Sequence, residues 1–329
     1  DFKELPLIAA HIRDNGEPGI MYLSNVQRYA RYGEESRDSA FLANPCSEIP
    51  LESFELCNLA EVFPSRCENE AVFYEALEYA TFYASTVSLL PTHHPRTNEV
   101  ILRNRRIGVS VSGIADMIDI HGETELTRRL RKGYRLVRSV NQRLAKEADI
   151  PASIRITTVK PSGTISQMVG CSAGMHFPTF RYAIRRIRVG NTSSICDTLK
   201  AAGVPYEEDR YSTGTTVFEF PVHYGKTRNE TMVPALEQFS LLALLQRDWS
   251  DNMVSCTIYF DPKTEGGQIE ALLTRFLPVI KSVSMLPHSD KGTYCQMPYE
   301  GITKAQYEAR LAKMPSIDWN AFAKIECTK

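Results

Sequence analysis

Short period-two segments alternate with amphipathic helical stretches along this chain, and that alternation confines it to an α/β architecture. From Phe73 to Val87 the apolar set Phe73, Ala76, Leu77, Ala80, Ala84 and Val87 keeps the spacing of one helix face. Leu126 to Leu144 repeats that spacing with a basic outer face, where Arg128, Arg129, Arg131 and Lys132 read as solvated charge. Ile154, Ile156 and Thr158 alternate as a strand does, and so do Val254, Cys256, Ile258 and Phe260. A further helix is expected through Ile269, Leu272, Leu273, Phe276 and Ile280, and a loop over Thr227 to Met232. Strands joined through helices call for a largely parallel sheet or barrel. No linker rich in Gly, Ser or Pro divides the chain, so one folding unit is expected.

Composition removes several alternatives. The 329 residues are 43% hydrophobic and 23% charged, an ordinary globular balance. With 38 basic and 39 acidic residues there is no global field to hold nucleic acid or an anionic membrane. The longest unbroken apolar run, Leu241 to Leu245, is far too short to span a bilayer. Eight cysteines occur without any Cys-x-x-Cys pair, which excludes the usual zinc-ribbon and thioredoxin patterns and fits a reduced, cytoplasmic protein. His93-His94 has no further ligand at metal spacing. Arg103, Arg105 and Arg106 precede a strand-like Ile107-Gly108-Val109 run and are candidates for internal ion pairs.

Two segments carry chemistry. In Asn44-Pro45-Cys46-Ser47-Glu48-Ile49, Pro45 excludes a helix. Read as extended chain, Asn44, Cys46 and Glu48 project to one side. An amide that binds hydroxyls, a carboxylate that takes a proton and a thiol able to act as nucleophile, redox group or radical then share one volume. Cys57 follows eleven residues after Cys46. On spacing alone the bland reading stays ahead, since a cysteine beside a glutamate in a loop usually carries no function. The second segment, Lys160-Pro161-Ser162-Gly163-Thr164-Ile165-Ser166, follows the Ile154–Thr158 strand. Its glycine, hydroxyls and free N–H groups suit phosphate oxygens, although a plain turn has the same composition.

Together, in this order, the Asn-x-Cys-x-Glu and Pro-Ser-Gly-Thr segments resemble the catalytic half of ribonucleotide reductase large subunits. Trp249-Ser250-Asp251-Asn252-Met253-Val254-Ser255-Cys256-Thr257, Lys281-Ser282 and Gly174-Met175-His176-Phe177 extend the resemblance to the monomeric, adenosylcobalamin-dependent (class II) ribonucleoside triphosphate reductases, from Gly16 to Pro298. Class I large subunits carry a Tyr-Tyr pair for radical relay. Here Lys281-Ser282-Val283-Ser284-Met285-Leu286-Pro287 has no tyrosine.

The resemblance implies a ten-stranded α/β barrel whose central finger loop, about 41–59, carries the radical cysteine. It implies Cys46 as the thiyl cysteine, Glu48 as the base at the 3′ hydroxyl, Asn44 as a holder of ribose hydroxyls and Cys57 as half of the reducing dithiol. Pro161, Ser162, Gly163, Thr164, Ile165 and Ser166 would bind substrate phosphates, with adenosylcobalamin as cofactor. A ribonucleoside triphosphate substrate and a thioredoxin-like reductant follow from the same likeness. Residues 1–329 would form the C-terminal portion of the barrel. The N-terminal half, expected to carry the second dithiol cysteine and the effector region, is absent from this sequence, either by truncation or because the enzyme is split, in which case that half is a partner required for activity. Cys67, Cys171, Cys196, Cys256 and Cys295 are expected to be structural, and Cys327 does not match the family's tail pair. Other readings stay open: a non-catalytic partner or regulatory fragment, or a class I-type large-subunit piece.

Overall fold

The structure is a computed structural model that describes residues 2–225, 227–288, 295–320 and 322. In chain order it begins with α1 (Leu5–Asn15), β1 (Ile20–Met21), α2 (Leu23–Arg28), β2 (Leu42–Ala43), β3 (Pro50–Leu51) and β4 (Leu59–Val62). Next come α3 (Glu70–Val87), α4 (Pro95–Asn104), β5 (Gly108–Val111), α5 (Ile114–His121), α6 (Glu123–Glu147), β6 (Thr157–Thr158) and α7 (Ile165–Val169). They are followed by β7 (Tyr182–Gly190), α8 (Ser194–Ala202), β8 (Tyr206–Glu208), β9 (Thr215–His223), α9 (Ala235–Asp248) and β10 (Thr257–Phe260). The last are α10 (Ile269–Phe276), β11 (Ser282–Pro287), β12 (Tyr299–Gly301) and α11 (Lys304–Leu311).

The chain divides into two compact units, not the single unit expected, with crossings after Pro178, Asn229 and His288. Residues 179–229 of the smaller unit are an insertion between α7 and α9, and no linker composition marks its crossings. The unit's sheet runs β12-β7-β9-β8, all antiparallel, around the long β7–β9 pair from Tyr182↔His223 to Gly190↔Thr215. A small core of Cys196, Leu199, Val204 and Phe218 lies within it.

In the larger unit, β4, β5 and β6 pair in parallel with Leu59 opposite Gly108 and Val109 opposite Thr157. β10 and β11 also pair in parallel, with Thr257 opposite Ser284. A parallel bridge between Val159 and Val254 joins the two groups. The result is one run of parallel strands, β4-β5-β6-β10-β11, with β1 antiparallel at its edge. Helices occupy every crossover, as parallel pairing requires.

Two of the expected strands are shorter than their sequence periods. Ile156 N–H donates to the Asp251 carboxylate at 3.1 Å instead of to a neighbouring strand, so the β6 ladder is confined to Thr157–Thr158. In the Val254–Phe260 segment, Val254 makes only the isolated bridge to Val159, and the continuous strand begins at Thr257. Within the expected loop, Glu230–Met232 forms one 3₁₀ turn. α3 and α6 fall where the apolar spacing puts them, while α10 ends at Phe276, short of the expected Ile280. α3 buries Phe73, Leu77 and Ala84, while α6 buries Leu126, Leu130, Tyr134 and Val137. They share one core with Trp249 and Phe239. Each such large side chain contributes about 1.5–3 kcal/mol by leaving water.

Candidate active site

β2 and β3 form a hairpin, with Leu42 opposite Leu51 and Ala43 opposite Pro50. At its tip the Ser47 N–H donates to the Asn44 carbonyl at 2.9 Å, closing a tight turn with Pro45 in its second position. Ser47 takes the left-handed conformation, φ 57°. Asn44 Oδ1 accepts the Ile49 N–H at 3.0 Å. The extended alternation of Asn44, Cys46 and Glu48 is therefore corrected to a turn, because the asparagine side chain and Pro45 fold the tip back on itself. Cys46 is left exposed at the apex, while Glu48 lies beneath it at 1% exposure.

The hairpin is fastened below the tip and at both feet. The Glu48 carbonyl accepts from Thr158 Oγ1 at 2.7 Å and from the Met253 N–H at 3.0 Å. Ile49 packs over Gly108, where a Cβ would come within 2.7 Å of Ile49 Cδ1. Arg106, as its position before β5 suggested, is an internal ion-pair partner. It donates to Asp38 ahead of the hairpin at 2.8 Å and to Glu55 behind it at 2.9 Å, all three side chains being buried. Burial works against the Asp38 charge, but hydrogen bonds and charge from Arg106, with Arg155 nearby, hold its pKa below the ordinary carboxylate value. Glu52 is gripped in turn by Arg103 at 2.7 Å.

Against this firm backbone, one carboxylate oxygen is left over. Glu48 Oε2 is buried without a hydrogen-bond partner. An unsatisfied buried acceptor of this kind costs about 1–3 kcal/mol. Cys57 lies in the same electrostatic neighbourhood. Its side chain reaches solvent, yet surrounding protein, the Glu48 charge and Cys46 push its thiol up to about 11 against the opposing charge of Lys160. Cys57 is thus a thiol, not a thiolate, at neutral pH.

Glu61, on β4, joins this neighbourhood although no sequence motif marks it. Its partner across the β4–β5 ladder is Ser110. Ser110 Oγ donates to Glu61 Oε1 at 3.1 Å, Ser112 Oγ donates to the same oxygen, and Oε2 is buried without a partner. Burial lifts this carboxyl to about 7; the two serine hydrogen bonds and Lys160 oppose the lift, and the Glu48 charge adds to it. The period-two series Cys57, Leu59, Glu61 was the available signal.

The Lys160–Ser166 segment adjoins this cluster. The Lys160 N–H donates to Ser110 Oγ at 2.8 Å. Gly174, at φ 56°, lies so close that a Cβ would strike the Lys160 carbonyl oxygen. Ser162 is 3% exposed with φ 49°, and its Oγ has no partner. Gly163, Thr164 and Ile165 face solvent at the start of α7, while Ser166 is buried and its N–H donates to the Ser162 carbonyl at 3.2 Å.

The remaining singled-out segments act as scaffold. His176 Nε2 accepts the Thr257 N–H at 2.9 Å and Nδ1 faces the Ala173 carbonyl at 3.1 Å, so the buried ring is neutral, its pKa lowered by desolvation. Trp249 Nε1 donates to the Thr158 carbonyl at 2.8 Å, and Asn252 Nδ2 donates to Ile107 and Thr157 carbonyls at 2.9 Å. Lys281 Nζ sits among the carbonyls of Tyr29, Ala30, Asp251 and Asn252, at 2.6–3.1 Å. Cys171, Cys196 and Cys256 are buried and Cys67 is partly so. Cys295 departs from the packed position expected of it and is exposed, with Arg210 Nη1 3.6 Å from its sulfur. Cys327 lies outside the described residues.

Residues 5–122 match the family model for the ribonucleotide reductase barrel domain. An adenosylcobalamin-dependent ribonucleoside-triphosphate reductase of Euglena gracilis is 43% identical over 308 residues, 92% of this chain and 42% of the relative. A protein of Dictyostelium discoideum named as a probable enzyme of the same kind is 40% identical over 319 residues, 95% of this chain and 42% of that one. The crystal structure of a B12-dependent (class II) ribonucleotide reductase superposes with a TM-score of 0.87 at 34% identity, covering 98% of this chain and 49% of the other. The chain thus spans under half the length of these curated relatives.

Proposed function

We propose that this chain, a relative of the adenosylcobalamin-dependent ribonucleotide reductases over nearly all of its length, supplies the radical-cysteine site for reducing ribonucleoside triphosphates to 2′-deoxyribonucleotides. The observation that carries this reading is the hairpin itself: an exposed thiol at its apex above a buried carboxylate oxygen with no partner.

In this reading the Cys46 sulfur, as a thiyl radical, removes the 3′ hydrogen of the ribose. Glu48 takes the 3′ hydroxyl proton while the 2′ oxygen leaves as water, a general-base role for which an unpaired, water-shielded carboxylate is suited. Cys57 and a second thiol outside this chain supply two hydrogens and two electrons and end as a disulfide. Cys46 then returns its hydrogen to the 3′ carbon. A thiol held up to about 11 is a hydrogen donor suited to that step. Asn44 spends Oδ1 on the hairpin, so its Nδ2 is the group offered to ribose hydroxyls. Pro161 to Ser166 take the phosphates, supported by the unpartnered Ser162 hydroxyl and the exposed Gly163 and Thr164.

The exposed Cys46 sulfur, with no tyrosine in β11, fits a cofactor that approaches the thiol directly. Adenosylcobalamin bound there would supply the carbon radical that takes the Cys46 hydrogen. The rest of the reductase polypeptide and a thioredoxin-like dithiol complete the cycle. The seven cysteines among the described residues are all free thiols, which supports a reducing, cytoplasmic setting. No helix among those residues is long and apolar enough to cross a membrane.

The test is Cys46→Ser in this chain, combined with the remaining half of the reductase and adenosylcobalamin. Deoxynucleotide formation is expected to vanish while the melting curve stays unchanged. Substantial turnover by the variant would refute the assignment.

A further inference from the structure

The Lys160–Ser166 segment leaves the parallel ladder at its first residue. Val159 is still bridged to Val254, and its carbonyl accepts the Ser255 N–H at 2.9 Å. The Lys160 N–H goes instead to a side chain, Ser110 Oγ, at 2.8 Å. Gly174, which lies against the Lys160 carbonyl where a Cβ would strike it, is caught in the same way. Its N–H donates to Ser112 Oγ at 3.1 Å. Both serines are buried. Each has one hydrogen to give, and both give it to the same atom, Glu61 Oε1, Ser110 at 3.1 Å and Ser112 beside it. A single carboxylate oxygen thus stands behind two main-chain clamps, one at the start of the segment and one on the residue packed against it. The chemistry above makes no use of Glu61.

We propose that Glu61 is a positioning residue for the phosphate-binding segment: by drawing both serine hydrogens onto one oxygen, it leaves Ser110 and Ser112 with lone pairs turned to the Lys160 and Gly174 N–H groups, and so sets where Pro161 to Ser166 stand. A serine hydroxyl without that acceptor is free to rotate, and its hydrogen then competes with the incoming N–H. Hydrogen bonds in such a chain also polarise one another, so the anchored serine is the stronger acceptor. The effect falls on the residues that follow Lys160. Pro161 has no N–H with which to hold itself. Ser162 keeps φ 49° with its Oγ buried and unpartnered, so a shift at Lys160 re-aims that hydroxyl. Glu61 Oε2 has no hydrogen bond to lose, and the role needs one acceptor oxygen, not a charge. The proposal deepens the assignment of phosphates to this segment and rests on it.

Residue-resolved hydrogen exchange in the 329-residue chain reads the two clamps directly. In Glu61→Leu, exchange at the Lys160 and Gly174 amides is expected to quicken by about tenfold, the scale of one hydrogen bond. Glu61→Gln should stay near the parent, because an amide oxygen can accept both hydroxyls as Oε1 does. The single-serine variants separate a clamp from general loosening. Ser110→Ala should free the Lys160 amide alone, and Ser112→Ala the Gly174 amide alone. In the completed reductase with CTP as substrate, Glu61→Leu should raise KM by about three- to tenfold with kcat largely kept, and Glu61→Gln should restore the parent KM. Unchanged exchange in Glu61→Leu would overturn the proposal. So would exchange in Glu61→Gln as fast as in Glu61→Leu, or release of both amides by either serine variant. Quickened exchange with an unmoved KM would overturn the phosphate role of the segment, and with it the part of Glu61 in binding, while leaving the clamps themselves in place.

Discussion

Alanine at Gly174 tests whether the Lys160–Ser166 segment is set by a main-chain contact. Gly174 holds φ 56°, and a Cβ there would strike the Lys160 carbonyl oxygen and lie 3.2 Å from Pro161 Cα. The left-handed conformation costs an L-residue about 1–2 kcal/mol. Relieving an overlap with backbone atoms costs a further 1–3 kcal/mol or so. The sum, about 2–5 kcal/mol, corresponds to a fall in Tm of roughly 4–20 °C for a unit of this size. Gly163 is the matched control, since a Cβ there meets no atom within 4 Å. Gly163→Ala should melt as the parent does. If its N–H and open face receive phosphate, triphosphate affinity should nevertheless drop when measured by calorimetry. Thermal unfolding followed by circular dichroism separates the two. Gly174→Ala melting within about 1 °C of the parent, or Gly163→Ala falling as far as Gly174→Ala, would refute the contact argument.

Other substitutions probe the hairpin and its feet. Glu48→Gln should lower the chemical step by about 10²–10⁴-fold in single-turnover assays of the completed enzyme, with nucleotide binding retained. Arg106→Met takes the shared cation from buried Asp38 and Glu55, leaving Asp38 only the Arg155 cation at 3.4 Å, so urea unfolding should show a loss of about 3–5 kcal/mol. Because the folded Asp38 pKa lies below its unfolded value near 3.9, its contribution is complete above about pH 5 and drains away as pH falls below about 4. The Arg106→Met deficit should shrink over the same acid range in pH-dependent denaturation.

The α/β class and the positions of α3 and α6 were legible because they depend on local spacing. The Cys46, Glu48 and Cys57 constellation was legible from order and motif. The turn at Asn44–Ser47 was not, since it depends on the Asn44 side chain reaching Ile49, a choice that period-two reasoning cannot see. Arg106 could be suspected of an internal partner, but Asp38 and Glu55 lie 68 and 51 positions away, so no local pattern names them. Lys160 was visible only as the first residue of a turn. Glu61 had a signal two strand periods from Cys57, but nothing in sequence announces that two serines will donate to it. The inserted unit escaped notice because its crossings at Pro178 and Asn229 have unremarkable composition.

The hairpin is held by its own carbonyls, by Thr158 and Met253, and by a guanidinium at its feet; none of these contacts uses the side chains of Pro45, Cys46 or Ser47. Placement and chemistry are thereby carried by different atoms. Whatever side chain stands at position 46 will be presented at the same point in space, provided the turn still closes. The mount is therefore exchangeable cargo by cargo: selenocysteine, a spin label or a photocrosslinking residue installed at the apex would report from the position of the native sulfur, without first disturbing the scaffold that puts it there.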